Sequence, residues 1–185
     1  LSTDPEIASD LLELFNYLSG FSKQKNYQKL LVSPSSMRKK FIFLIKREIK
    51  NAEEGKKAEI IAKMNSLVDP EIINLLYLAS DSGVKISLII RGICCLYPQR
   101  KNLSENIKVI SIIGHFLEHS RIFWFCNNGD NEVFIGSADW MRRNLDRRIE
   151  AVTPIEDYEL KSKIYSLLQT YIKDDYFSWI MKEDG

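Results

Sequence analysis

The alternation of short apolar runs with helical periodicity is what most limits the folds open to this chain. Residues 29–33 (KLLVS), 58–64 (AEIIAKM) and 84–90 (VKISLII) are each suited to one buried strand. Between the first two, Met37, Phe41, Leu44, Ile45, Ile49 and Ala52 recur at helical spacing, with Gly55 past the end. Between the second and third, Asp69-Pro70-Glu71 opens a helix predicted through Ala79 and closed by Gly83. The Asp can accept free N–H groups of the first turn, Pro fits there without losing a bond, and Glu suits the positive end of the helix dipole. Strand, helix, strand, helix, strand with connections of a few residues predicts a parallel α/β arrangement.

After Pro98 the pattern shifts. Residues 107–113, 121–126, 132–135 and 148–152 read as strands, and Asn127-Asn128-Gly129-Asp130 reads as a hairpin turn. Leu160, Ile164, Leu167, Leu168, Tyr171 and Ile172 mark a closing amphipathic helix. A helix opened by Asp4-Pro5-Glu6, with Leu11, Leu12, Leu14, Phe15 and Leu18 on its apolar face, begins the chain and ends at Gly20.

Composition narrows the function classes. At 185 residues and 45% apolar the chain can bury roughly 70% of its unfolded surface, so neither metal nor disulfide is needed to hold it. Lys plus Arg number 26 against 25 for Asp plus Glu, so anion binding must come from local clusters and not from a uniformly basic surface. Cys94, Cys95 and Cys126 are odd in number and two are adjacent, which suits a reducing cytosol and predicts a cytoplasmic location. The most apolar stretches, 84–90 and 108–113, are far short of the ~20 residues a membrane span requires. No signal peptide is visible at the start, and without an initiator Met the chain is expected to be a trimmed piece of something larger.

The candidate chemistry is confined to few residues. His115 and His119 are the only histidines; four apart on a helix they would share a face, but no third ligand follows at metal-binding spacing, and no metal site is expected. His115 reads as structural. His119 lies two residues before Arg121 at the start of a strand, where the two side chains share a face. An imidazole beside a guanidinium suits a phosphoryl group: the Arg pairs with its oxygens while the His donates a proton or hydrogen bond. Gly136-Ser137-Ala138-Asp139 follows another strand and offers a small residue where backbone can approach phosphate. This arrangement resembles half of a phospholipase D-type site, but lacks the Asp such sites place a few residues after the basic one; no acid follows Arg121 until Asp130.

Arg91 ends an apolar strand, as Lys63 and Asn65 do another, and ligands of open α/β sheets bind beyond the carboxyl ends of strands. Arg142, Arg143, Arg147 and Arg148 follow the Gly-Ser strand end and are candidates for polyanion contact, Arg142 and Arg148 above all. The basic face of the helix from Met37 (Lys39, Lys40, Lys46, Arg47, Lys50) reads as solvated; Arg38, beside the free N–H groups of the first turn, is the exception and, with Lys63 and Asn65, a candidate for polyphosphate contact. Trp124 and Trp140 read as packing residues.

Six segments together resemble the polyphosphate kinases that form a phosphohistidine: DPEI at 4–7, YQKLLVSPSSMR at 27–38, KMNSLVD at 63–69, LIIRGICCL at 88–96, SENIKVISIIGHFLEHSRI at 104–122 and GSADWMRRNLDRRIE at 136–150. The resemblance implies a phospholipase D-like α/β fold, a mixed sheet flanked by helices, over 29–185, with 1–28 the helical tail of the preceding catalytic domain. It implies transfer of the ATP γ-phosphate to a histidine and then to polyphosphate, reversibly. Arg91 matches a strand-end arginine that contacts ATP phosphates, and His119 matches the second essential histidine, which contacts phosphates and is expected to be a general acid; Arg121 and Ser137 are added as neighbours on physical grounds. The nucleophilic histidine and the residues that bind most of the Mg2+ belong to sequence before Leu1. The implied partners are ATP and ADP, inorganic polyphosphate and the rest of the kinase chain, which is expected to be a homo-oligomer when complete, with no nucleic acid and no membrane span; the fragment alone is expected to be inactive. His115 stands where the family usually has Arg. A phospholipase D-like phosphodiesterase half and a non-catalytic polyphosphate-binding module are the alternatives.

Overall fold

The two Asp-Pro-Glu openings behave alike. In the computed structural model, which describes residues 4–21, 26–115 and 117–185, Asp4 accepts the N–H groups of Glu6 and Ile7 at 2.9 and 3.0 Å, and Asp69 accepts that of Ile72 at 3.1 Å. They start helices α1 (Pro5–Leu18) and α3 (Pro70–Asp81). Helix α2 spans Met37–Glu53, a short α4 spans Arg142–Asp146, and α5 spans Tyr158–Lys173. The strands are β1 (Leu31–Ser33), β2 (Glu59–Met64), β3 (Lys85–Ile90), β4 (Ile107–Ile112), β5 (Arg121–Phe125), β6 (Glu132–Gly136), β7 (Glu150–Ile155) and β8 (Ser178–Ile180). The hairpin between β5 and β6 turns where expected, with Asn127, Asn128 and Gly129 at φ 44°, 55° and 102°, the left-handed values that Asn and Gly tolerate best.

The eight strands form one sheet in the order β1-β7-β6-β5-β2-β3-β4-β8. Only the neighbouring pairs β2–β3 and β3–β4 are parallel; β5 runs antiparallel beside β2, β6 beside β5, β7 beside β6, and β8 beside β4. The sheet is therefore mixed, and the parallel expectation is corrected at its first strand. β1 does not neighbour β2: it pairs antiparallel with β7 at the far edge, Leu31 opposite Val152 and Ser33 opposite Glu150. Two features send it there. The Asp10 carboxylate of α1 accepts the N–H groups of Gln28, Lys29 and Leu30 at 2.7–2.8 Å and fixes the entry to β1. The place beside β2 is taken by β5, whose Ile122, Phe123, Trp124 and Phe125 are buried on both faces.

Alternation along the central strands builds a core on each face of the sheet, and Val32 of β1 adds a smaller cluster with Leu14 and Leu30. Ile60, Ala62 and Met64 of β2 and Phe123 and Phe125 of β5 pack under Met37, Phe41 and Leu44 of α2 and Ile72 and Leu76 of α3, together with Trp140. Ile61 of β2, Ile89 of β3, Ile122 and Trp124 of β5 and Val133 of β6 face the other way, against Leu168, Ile164 and Tyr171 of α5. Trp140 and Trp124 are buried, as packing residues should be. Each fully buried side chain of this size is worth about 1.5–3 kcal/mol over its exposed state.

Strand direction also defines a rim. Because Lys63 lies opposite Ile122, Arg121 opposite Gly136, and Gly136 opposite Val152, the carboxyl ends of β2, β3, β4 and β6 open on the same edge as the amino ends of β5 and β7. His119, Arg91, Ser137 and Arg148 all flank strand ends on that edge.

Candidate anion-binding rim

His119 and Arg121 meet, as their two-residue spacing predicts. The Arg121 Nη1 donates to the His119 carbonyl at 2.8 Å and lies 2.8 Å from the ring Nδ1 and 3.2 Å from Nε2. Its Nε donates to Asp139 Oδ1 at 3.1 Å, and both side chains are about nine-tenths buried. The carboxylate that the sequence lacked after Arg121 is thus supplied by the loop beyond β6, brought close by the Arg121–Gly136 pairing. Asp139 also accepts the Asn65 N–H at 2.9 Å, so it ties the ends of β2, β5 and β6 together. Asn65 keeps its side-chain oxygen buried and without a hydrogen-bond partner among the described residues.

Ser137 is held by Glu150: its hydroxyl donates to Glu150 Oε2 and accepts the Ala151 N–H at 3.3 Å. The other Glu150 oxygen accepts from Asn144 Nδ2 at 2.5 Å. Arg91 is exposed, and its guanidinium makes no hydrogen bond or ion pair among the described residues. Arg142, Arg143, Arg147 and Arg148 are exposed and unpaired in the same sense, on α4 and the turn into β7.

Two expected polyphosphate contacts are engaged elsewhere. Arg38 holds three carboxylates, with Asp69 and Asp146 each at 2.6 Å and Glu71 at 2.9 Å. Lys63 is not an open cation either: its side chain is 4% exposed, and its Nζ lies 2.9 Å from Ser120 Oγ and 3.2 Å from Glu118 Oε2. The alternation that turns Ile61 toward α5 turns Lys63 the same way, where a carboxylate can neutralise it. Arg47, read as solvated, pairs with Glu132 at 2.9 Å and with Glu48 at 3.6 Å.

Burial pulls the Lys63 ammonium below its ordinary pKa; the Glu118 bond and charge oppose this, while Arg121 and Arg91 add to it. Burial raises Glu118, but the Tyr171 hydroxyl and the Lys63 ammonium outweigh it and hold the carboxyl below its usual range. Tyr171, buried and bonded to that carboxylate, is pushed up to about 12. Sequence reasoning missed Glu118, Tyr171, Asp139 and Glu150. All four act across strand or helix boundaries, and the only signal was that Glu118, Asp139 and Glu150 lie within the quoted motifs.

His115 and His119 do not share a helix face: they lie in the irregular segment between β4 and β5, and the His115 ring stands edge-on to Phe177 at 6.3 Å. Among the described residues no group of three or more His, Cys, Asp or Glu side chains is placed to hold a metal ion, and the rim, lined by cations, does not fit one. Among those residues no helix is long and apolar enough to cross a membrane.

This mixed sheet is phospholipase D-like in fold. The crystal structure of Nuc, a phospholipase D family member from Salmonella typhimurium, superposes with a TM-score of 0.58 at 16% identity, covering 83% of this chain and 97% of that one. Residues 30–185 match the model of polyphosphate kinase C-terminal domain 2, and the chain belongs to that family. It is 60% identical over all of its 185 residues to the polyphosphate kinase of Parasynechococcus marenigrum (strain WH8102), covering 26% of that protein. The crystal structure of the polyphosphate kinase of Porphyromonas gingivalis superposes with a TM-score of 0.95 at 40% identity, covering 99% of this chain and 28% of that one. The chain therefore spans about a quarter of the length of the relatives it matches.

Proposed function

We propose that this domain forms one wall of the phosphoryl-transfer site of an ATP:polyphosphate phosphotransferase, the rest of the site lying in a preceding domain of which residues 1–28 are the tail. The reading rests on family membership and on one observation: an open guanidinium, Arg91, and a held imidazole, His119, flank strand ends on a single rim. Phosphoryl transfer asks for charge neutralisation and alignment more than for covalent machinery. Arg91 supplies charge to ATP phosphates. His119 supplies a hydrogen bond. Arg121 Nη1 lies 2.8 Å from Nδ1 and 3.2 Å from Nε2, so a ring N–H and a guanidinium are held side by side for an anionic oxygen. The same ring N–H places His119 to serve as the general acid of the transfer.

Magnesium accompanies ATP as the phosphate counter-charge and is held by residues outside this chain. A phosphohistidine there divides the transfer into two displacements. Polyphosphate, ATP and ADP are the small partners and the remainder of the kinase is the large one; the complete protein is a cytoplasmic homo-oligomer in this reading. In the complete enzyme given labelled ATP and magnesium, an acid-labile phosphoprotein and labelled polymer are expected, and His119→Ala is expected to abolish polymer synthesis. Full synthesis by that variant removes His119 from the mechanism, and release of alcohol or nucleotide from a phosphodiester substrate would replace the kinase by a phosphodiesterase.

A further inference from the structure

An ammonium buried in the central part of a sheet is costly unless it is paired and hydrogen-bonded, and a hydrophobic residue would often serve stability as well. Lys63 on β2 is such a group, and its partners come from a single place. Its Nζ donates to Ser120 Oγ at 2.9 Å and lies 3.4 Å from the Ser120 carbonyl, on one side of His119. On the other side it meets Glu118 Oε2 at 3.2 Å. The same oxygen accepts the Tyr171 hydroxyl of α5 at 2.9 Å, and the Tyr171 ring lies 5.1 Å from the ammonium.

We propose that Lys63, Glu118 and Tyr171 are positioning residues that clamp the chain immediately before and after His119 and so aim its imidazole at the transferred phosphate. The proposal rests on the reading above that His119 contacts phosphate. The geometry separates two tasks. Arg121 and Asp139 hold the ring, while the Lys63 cluster fixes the backbone that carries it, anchored at one end in β2 and at the other in α5. No regular strand or helix holds His119 itself, so without the cluster Arg121 alone, among the described residues, sets its direction. Glu118 also neutralises Lys63, offsetting the repulsion that the ammonium feels from the Arg121 and Arg91 charges. Displacement of a catalytic group by about 1 Å costs on the order of 100-fold in rate.

The test uses the complete enzyme. Tyr171→Phe keeps the ring over Lys63 and deletes one hydroxyl; Glu118→Gln keeps the shape and removes the charge. Each is expected to lower kcat by about 10-fold or more with KM for ATP within about twofold, since the ATP charge contact at Arg91 is untouched. Amide hydrogen exchange is expected to rise over residues 117–121 and to stay unchanged over β2 and β3. Lys63→Met, which removes the centre of the clamp, should lose at least as much kcat; if it fails to fold, the two milder variants decide alone. Unchanged kcat and unchanged exchange in both, or a loss confined to KM, overturns the clamp even where His119→Ala is inactive. An active His119→Ala enzyme sinks the functional reading instead, and is distinguishable because the exchange effect does not depend on turnover.

Discussion

At the scale of single residues, Arg38 shows how a cation beside a helix start becomes structural. Its five donors face Asp69, Asp146 and Glu71, and Asp69 is 2% exposed. Burial alone would raise the Asp69 carboxyl, but the Arg38 bond and charge overcome it and hold it below the usual aspartate range. Arg38→Met leaves a buried charge without its partner and sets three carboxylates facing one another, a loss of about 3–5 kcal/mol. At about 2–4 °C per kcal/mol for a domain of this length, the melting midpoint is expected to fall by roughly 6–20 °C. The sign with pH follows from the depressed carboxyl: the pair stabilises the fold above about pH 4, and that stability is lost as pH falls through the lower folded value. In Arg38→Met this acid-side dependence is expected to flatten. Calorimetry between about pH 3 and 7 checks both; a wild-type midpoint in the variant would return Arg38 to the list of phosphate contacts. Nothing in the one-dimensional pattern distinguishes Arg38 from Arg91, since whether a cation is free depends on which carboxylates the fold brings to it.

At the scale of elements, the β6–β7 pair sets the rim's shape through a glycine. A Cβ on Gly136 would collide with the Ala151 carbonyl oxygen and come within 2.7 Å of the Val152 Cα, both backbone atoms that cannot step aside without parting the strands. Gly136→Ala is expected to cost about 1–3 kcal/mol as overpacking, and to shift Ser137 away from Glu150. Denaturant unfolding and kcat of the complete enzyme check this; an unaffected midpoint and rate would mean that the pair opens freely. The elements themselves were largely legible: the Asp-Pro-Glu openings, the two apolar helical faces and the Asn-Asn-Gly-Asp hairpin all declare themselves within a few residues. What stayed hidden was pairing. β1 goes to the far edge because of Asp10, eighteen or more residues away from the N–H groups it accepts, and because a more apolar strand from later in the chain takes its place. β8 has three residues and two exposed apolar side chains, too short a run for period-two alternation to register. In the site, the His119–Arg121 pair was legible because it is local, and Asp139, Glu118 and Tyr171 were not, because each reaches its partner through the sheet or across a helix.

At the scale of the whole molecule, charge is balanced in number but not in place. The net charge is +1, and many cations away from the rim are paired: Lys29 with Asp4 and Glu156, Arg47 with Glu132, Lys85 with Glu59. Arg91, Arg142, Arg143, Arg147 and Arg148 have no such partner among the described residues, and all five flank the edge that carries His119. A polyanion approaching this domain therefore meets a local positive field that the total charge conceals. If the rim guides polyphosphate, each phosphate it neutralises releases a counterion, and affinity falls with salt by roughly 0.7 log per log for each contact, taking the behaviour of single-stranded polyanions as the guide. Three contacts predict a loss of roughly tenfold or more between about 50 and 200 mM salt. Arg142→Gln with Arg148→Gln is expected to lower that slope by one to two units in the complete enzyme while leaving the melting midpoint in place, because neither side chain holds a carboxylate. Arg38→Met, whose charge is already matched, is expected to leave the slope as it is. A slope that ignores the two rim substitutions would take Arg142 and Arg148 out of the polyphosphate path and leave Arg91, Arg143 and Arg147 as the unpaired arginines of this edge among the described residues.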